Sequence, residues 1–249
     1  MSHLLSELHI HTIASGHAFN TVDEIVKYAE AKKYKLIGIS DHGPDMEGAP
    51  NVGYFEMFSR LPRKYAGMNI LYGCEANIID VSGTLDVPDS FVRSADYVIA
   101  GLHKRTSYRH CSEADNTKAV VSVIHSNKVD IISHPVSQRF NVRVREIVQA
   151  ASICNIMLEA NKTVLLSAIR NQSSDVISAY IELFSEAEAA GVHIIFGSDA
   201  HHVSEMCFTN EECTLMQEQY GLNLYNLINQ KPKELMKFLD ERRKQRSEI

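Results

Sequence analysis

The chain has 249 residues, is 45% hydrophobic and 22% charged, and carries a formal net charge of −6. That is enough for one sizeable core, and the acidic balance argues against a general nucleic-acid binder. No apolar run is long enough to span a bilayer and no charged-then-apolar N-terminal signal is present, so the expectation is a soluble, cytoplasmic protein. The five cysteines, Cys74, Cys111, Cys154, Cys207 and Cys213, have no C-x-x-C spacing, which argues against a disulfide framework and a zinc ribbon. Histidine is the anomaly, with twelve copies.

In chain order, seven short runs rich in Ile, Val and Leu alternate with amphipathic stretches. The runs are "SELHIHT" (6–12), "KLIGISDH" (35–42), "NILYGCEA" (69–76), "DYVIAGLH" (96–103), "VDIISHP" (129–135), "NIMLEAN" (155–161) and "VHIIFGSDAH" (192–201). Short, apolar and closed by polar residues, they read as strands buried on both faces. Between the first and second, "NTVDEIVKYAEAKKY" places Val22, Ile25, Val26 and Ala29 on one helical face, and Thr21 with Glu24 forms a capping-box pattern. "TKAVVSVIHSNK" and "VRVREIVQAAS" are shorter helical stretches. "SSDVISAYIELFSEAEAAG" predicts a helix with Val176, Ile177, Tyr180, Ile181 and Phe184 on its apolar face, closed by Gly191. The tail, about 210–249, ends in "PKELMKFLDERRKQRSEI", a final helix with a charged, frayed end, packed on or extending from the rest.

Strands alternating with helices and no linker between them predict parallel pairing through crossover helices. At this length the pattern suits an α/β fold, a distorted TIM-like (β/α)7 barrel of parallel strands with outer helices, as one domain over 1–249. A doubly wound sheet would advertise a glycine-rich first turn, and "HIHTIASGH" is not one.

Every predicted strand delivers a metal-competent or hydrogen-bonding group at its C-terminal end. These are His9 and His11, Asp41 and His42, Glu75, His103, His134, Glu159 and Asn161, and Asp199 and His201. In a parallel barrel those ends share one mouth, where active sites sit. His9 and His11, and again Asp199 and His201, are two apart and on a strand would face one side. A structural zinc needs four ligands and is commonly cysteine-rich. Here the candidates are more numerous and none is cysteine, so one polynuclear metal site is expected.

The H-x-H near the N-terminus, the histidine a few residues on, the "DH" closing the second strand, the Glu closing the third, and the later His, His and D-x-H resemble the PHP (polymerase and histidinol phosphatase) family. The likeness runs from His9 to His201 and is nearest to the compact single-domain phosphatases of YcdX type. It implies three divalent ions. His9, His11, Glu75 and Asp199 would hold the first. Glu75, His103 and His134 would hold the second, with Glu75 bridging, and His17, His42 and His201 the third. Zinc suits this imidazole-rich set best, and manganese or iron also fits. The segment "LEANKT" is where substrate contacts are least legible.

Three divalent ions carry six positive charges, and Glu75 and Asp199 would offset two, because ligating histidines must be neutral. Such a cluster favours an anion. Two metals about 3.5–4 Å apart can supply a hydroxide nucleophile and clamp phosphoryl oxygens. The expected activity is therefore hydrolysis of a small phosphomonoester by a metal-activated hydroxide held by His9, His11, Glu75, His103, His134 and Asp199. Lys104 and Arg105 are candidate phosphate contacts, with Arg139 a weaker one. Asp41 could orient an imidazole, although on a strand it would face away from His42. Tyr54, Phe55 and Phe58 either line the pocket or cover the barrel. His202 reads as surface or supporting, and His3, His110, His125 and His193 as structural or exposed.

Three other functions compete. A nuclease of PHP type would show a basic groove and extra modules. An amidohydrolase-like enzyme also begins with H-x-H but uses a bridging lysine, for which Lys104 is available, and leaves His17, His42 and His201 without a role. A non-catalytic metal-binding regulator would keep the pocket without turnover. No nucleic-acid or membrane partner is expected, and the oligomeric state is not legible.

Overall fold

The computed structural model describes residues 4–109, 111–222 and 227–249. Its strands pair in parallel and in chain order: β1 (Ser6–Glu7), β2 (Leu36–Ile39), β3 (Met68–Asn77), β4 (Tyr97–Gly101), β5 (Ile131–Ile132), β6 (Met157–Asn161) and β7 (Ile194–Gly197). A two-residue strand, Lys64–Tyr65, lies antiparallel on the edge of β3. Beyond β7 the chain meets the chain beyond β1, where Ala200 N donates to His9 O at 3.2 Å and His11 N donates to Ala200 O at 2.9 Å. The ring is thereby nearly closed, and the expected (β/α)7 barrel is borne out.

Helices make each return. α1 (Val22–Ala31) joins β1 to β2, and α2 (Val52–Glu56) lies in the next crossover. α3 (Asp89–Ser94), α4 (Glu113–His125) and α5 (Val144–Cys154) follow β3, β4 and β5. α6 (Lys162–Arg170) and α7 (Ser174–Ala190) follow β6, and α8 (Asn210–Tyr220) and α9 (Pro232–Ser247) follow β7. No helix among the described residues is long and apolar enough to cross a membrane. The Thr21–Glu24 capping box of α1 is formed, and Gly191 ends α7 in the left-handed conformation its missing Cβ permits. The expected face of α7 is corrected. Val176, Tyr180, Leu183 and Ala187 are buried, while Ile181 is 47% exposed, because packing against the barrel rotates the buried stripe.

Inside the barrel the strands stack residues in layers. Leu36, Tyr97, Ile99, Ile131, Met157 and Ile195 form an apolar layer toward the N-terminal ends. Two residues further along four strands stand Gly38, Gly101 and Gly197, with Gly73 on β3. A Cβ on Gly38 or Gly73 would overlap the Tyr97 ring. One on Gly101 would strike Ser133 and His134, and one on Gly197 the Glu159 carboxylate. This glycine belt removes volume under the C-terminal mouth, so the polar side chains above it can fold toward the axis.

The bottom is closed by α9, contrary to the frayed end expected from its charge. Leu235, Phe238 and Leu239 join the interior apolar layer. Arg242 and Arg246 are 1% and 0% exposed. Arg246 Nε donates to Asp130 Oδ1 at 3.1 Å, and its terminal nitrogens reach the carbonyls of Val92, Ala95 and Asp96. Arg242 donates to the Val129 carbonyl at 2.8 Å and the Cys154 carbonyl at 3.1 Å. The guanidinium groups thus satisfy carbonyls at the strand entrances, with one buried carboxylate to neutralise them.

Candidate metal centre

At the opposite mouth four side chains from three strand ends converge. His9 Nε2 lies 3.1 Å from His11 Nε2, 3.2 Å from Glu75 Oε2 and 3.5 Å from Asp199 Oδ1. His11 Nε2 lies 3.4 Å from Glu75 Oε2 and 3.2 Å from Asp199 Oδ1. These five separations match the edges of a tetrahedron whose centre would stand about 2 Å from each corner, the Zn–N and Zn–O bond length, and all four ligand atoms lie within 4.8 Å of one another. Glu75 Oε2 is buried and has no hydrogen-bond partner among the described residues, although imidazole nitrogens crowd it at 3.0–3.4 Å. Imidazole nitrogens and carboxylate oxygens turned toward one point fit a cation at their centre.

The other Glu75 oxygen faces a second group. Oε1 lies 3.0 Å from His103 Nε2 and 3.1 Å from His134 Nε2, and those two nitrogens are 3.1 Å apart. One carboxylate therefore serves two clusters, one oxygen each. His42 stands at the junction, its Nδ1 3.0 Å from Glu75 Oε2 and without a hydrogen-bond partner among the described residues. Of the third foreseen trio, His42 and His201 bring ligand nitrogens together with His11, and His17 stacks beside them. The His17 ring lies 5.1 Å from that of His42 and 4.8 Å from that of His201, with His42 and His201 6.1 Å apart. His11 contacts this trio as well, 4.3 Å from His42 and 4.5 Å from His201, so it stands between two of the groups.

Strand geometry alone does not aim these groups. β7 ends at Gly197, and Asp199 follows with φ +53°, while His134 has φ +29°. Side chains at such angles are strained, and strain of this kind persists where surrounding contacts hold it. The D-x-H pair is thus delivered by a turn rather than by the strand periodicity expected from its spacing.

A ring of groups supports these ligands, and apart from Asp41 none was foreseen in that role. Glu159 Oε1 lies 2.5 Å from His9 Nδ1, and its other oxygen accepts from His134 N at 2.8 Å and Asn161 Nδ2 at 3.1 Å. It thereby turns His9 Nε2 toward the first cluster and pins the backbone of His134 in the second. Asn161 also caps α6 through Val164 N and donates to Asp199 Oδ2 at 3.3 Å. Among the described residues Asp41 bonds to no imidazole directly. It accepts from Ser15 Oγ at 2.7 Å, and Ser15 Oγ lies 3.0 Å from His11 Nδ1, so Asp41 acts on His11 through a hydroxyl. Tyr54 Oη donates to Asp41 at 2.7 Å, while Phe55 and Phe58 are buried in the outer core. The signal for Glu159 was its place at a strand end. Its pairing with His9, reaching past β7, left no signal in the sequence.

Electrostatics in the cluster follow these contacts. Burial by itself lowers an imidazole, yet the Glu159, Glu75 and Asp199 carboxylates hold His9 well above its usual range. Burial, joined by the neighbouring His42, takes His11 well below it, and burial brings His103 down to about 4. Burial pushes both carboxyls up, but His9 with His103 holds Glu75, and His9 with His11 holds Asp199, well below the usual carboxylate range.

Cations ring the outside. A cavity of about 290 Å³ over the clusters is lined by His17, His42, His103, His134, Asp199 and His201, with Lys104, Arg105 and the acidic Glu47 at its side. Arg139 lines an adjoining cleft together with Arg109, a residue not singled out in the sequence. Lys104 is exposed, so the buried bridging lysine of the amidohydrolase-like alternative is not formed by it. His202 caps a short 3-10 turn, and His125 and His193 are exposed away from the site. His3 and His110 lie outside the described residues.

Comparison with known proteins gives a consistent answer. A family model described as "PHP domain" matches residues 7–248. A probable phosphatase of Clostridium novyi is 36% identical over 237 residues, 95% of this chain and 91% of the relative. The probable phosphatase YcdX of Shigella flexneri is 36% identical over 236 residues, 95% of this chain and 94% of its own. Among solved structures, a histidinol phosphate phosphatase of Lactococcus lactis, complexed with zinc, L-histidinol and phosphate, has the same fold. Its TM-score is 0.60 at 15% identity, covering 88% of this chain and 94% of that one.

Proposed function

From the premise that the chain belongs to the PHP domain family, we propose that it is a metal-dependent phosphatase hydrolysing a small phosphomonoester at a site for three divalent ions. The observation that carries this reading is the Glu75 carboxylate, with one oxygen among His9, His11 and Asp199 and the other between His103 and His134. His17, His42 and His201 would hold the third ion. Nitrogen and oxygen donors at tetrahedral edge lengths suit zinc, and manganese or iron is compatible with the same donors. When bound, the ions would act as Lewis acids on phosphoryl oxygens and make hydroxide available near neutral pH.

The chain's own residues do the rest. Glu159 and the Asp41–Ser15 pair fix the rings of His9 and His11, so those nitrogens are aimed before substrate arrives. Lys104 and Arg105 at the cavity wall would draw in and hold the phosphoryl oxygens, and Arg139 would contact the remainder of the substrate. The whole of 1–249 would work as one domain, since α9 seals the barrel bottom while the loops at the other end carry the site.

The test is metal analysis of the purified protein combined with a panel of phosphomonoesters that includes histidinol phosphate, run beside single-stranded DNA and RNA. The expected result is three ions per chain and monoesterase activity that His11→Ala and Glu75→Ala each abolish while lowering bound metal. Undiminished hydrolysis by a variant that has lost its metal would overturn the mechanism. Cleavage of nucleic acid in preference to every monoester would favour the nuclease reading.

A further inference from the structure

Beside the cavity over the clusters lies a second, larger cleft of about 580 Å³. The two share the edge formed by His103, Lys104 and Arg105, so a ligand seated at the clusters can extend directly into the cleft. Among the described residues its walls carry Lys104, Arg105, Arg109 and Arg139, and no acidic residue. That is unusual in a chain with net charge −6. Among the described residues, Arg105 reaches only Glu47, at 4.0 Å with both side chains 75% exposed. No carboxylate makes an ion pair with Lys104, Arg109 or Arg139 among those residues. Three cations without an acidic partner, beside a fourth with only a distant exposed one, repel one another, and an anionic ligand is what relieves that repulsion.

The loop that presents them is held in an uncommon shape. Arg105 has φ +61°, in the left-handed region. Glu47 N donates to its carbonyl at 3.1 Å, and Ser107 donates through both its N–H and its hydroxyl to Asp45. On the other wall, Gln138 Nε2 donates to Ser173 Oγ at 2.7 Å, next to Arg139. Both cation-bearing loops are therefore braced by contacts from elsewhere in the fold, as expected of a recognition surface rather than a solvated loop.

We propose that the cleft is a subsite for a second oxyanion. The substrate would then be a phosphomonoester whose leaving group itself carries a phosphate or carboxylate, with Arg109 and Arg139 gripping that group while the reacting phosphate sits at the clusters. This rests on the phosphatase reading above and adds the substrate class to it. Arg suits the task because its fork of donors matches two oxygens of a phosphate or carboxylate at once.

Matched substrate pairs test it. Fructose 6-phosphate is compared with fructose 1,6-bisphosphate, adenosine 5′-monophosphate with adenosine 3′,5′-bisphosphate, and glycerol 3-phosphate with 3-phosphoglycerate for the carboxylate case. The expected result is a kcat/KM at least tenfold higher for the doubly anionic member of one or more pairs, carried by KM. That preference should fall at least tenfold in the R109Q/R139Q double variant. Equal kcat/KM within twofold across all pairs, or a preference that survives the double variant, would overturn the subsite. A binding arm keeps the two readings apart. Inorganic phosphate titrated calorimetrically into the metal-loaded protein should bind in two events in the wild type and in one in R109Q/R139Q. One event, unchanged in the double variant, refutes the subsite whether or not any ester turns over. Two events that fall to one, without turnover of any ester, refute the phosphatase reading and leave the subsite standing.

Discussion

Glu159→Gln is the most informative single substitution in this protein. The carboxylate accepts on both sides, from His9 Nδ1 at one oxygen and from His134 N and Asn161 Nδ2 at the other. A carboxamide has one oxygen, so it can serve one side only and must turn an N–H₂ toward donors on the other. If the oxygen stays on His9, the charge-assisted bond becomes a neutral one, a loss of about 1–1.5 kcal/mol. If the amide nitrogen faces His9 instead, the imidazole loses its acceptor and its fixed tautomer. Either way His9 is a weaker and less well-aimed donor, and changes of this kind typically cost about 10–100-fold in metal affinity. Competition against a chromophoric chelator measures that affinity directly, and near-UV circular dichroism checks that the variant is folded. A folded Glu159→Gln protein binding all its metal within twofold of the wild type would refute the assignment of Glu159 as the group that orients His9.

Two further outcomes are expected. Arg246→Met removes the nearer of the two cationic partners of buried Asp130, leaving Arg242 Nε at 3.5 Å, and leaves the Val92, Ala95 and Asp96 carbonyls short of donors. Urea unfolding should show a loss of about 3–5 kcal/mol, as for other buried pairs broken on one side, and a change under 1 kcal/mol would contradict a structural role for α9. The metal-free protein should also show a defined pH window of stability. His9 is raised above its ordinary 6.5, so its pairing stabilises fully below that pH and is lost as pH rises through the higher folded value. Glu75 and Asp199 are depressed, so theirs is present above 4.5 and 3.8 and is lost as pH falls through the lower folded values. Metal uptake at neutral pH should accordingly displace a proton from His9. Binding enthalpies identical in two buffers of different ionisation enthalpy would rule that out.

The barrel and the convergence at its mouth were both legible in the sequence, because they depend on local rules. Apolar runs alternating with amphipathic stretches force parallel strands with crossover helices, and parallel order puts every strand end at one mouth. His9, His11, Glu75, His103, His134 and Asp199 were therefore visible among the strand-end groups, and the resemblance to the PHP family singled them out as ligands. The α9 end misled for an equally physical reason: its arginines look solvent-seeking one at a time, and only the Asp130 carboxylate and the open carbonyls beneath the barrel make a buried place for them.

What the sequence alone determined was which residue types arrive at the mouth, since position along a strand sets direction and height. What only the tertiary structure decided was which of them touch. The two oxygens of Glu75 divide between two clusters because β1, β4 and β5 approach β3 from different sides of the ring. Glu159 meets His9 past β7 from 150 positions away in the chain, over a glycine that leaves room for it. Arg109 joins Arg139 because two loops from different strands fold against one cleft. Pairings of this kind depend on closure of the ring and on the volume left inside it, which no spacing along the chain encodes.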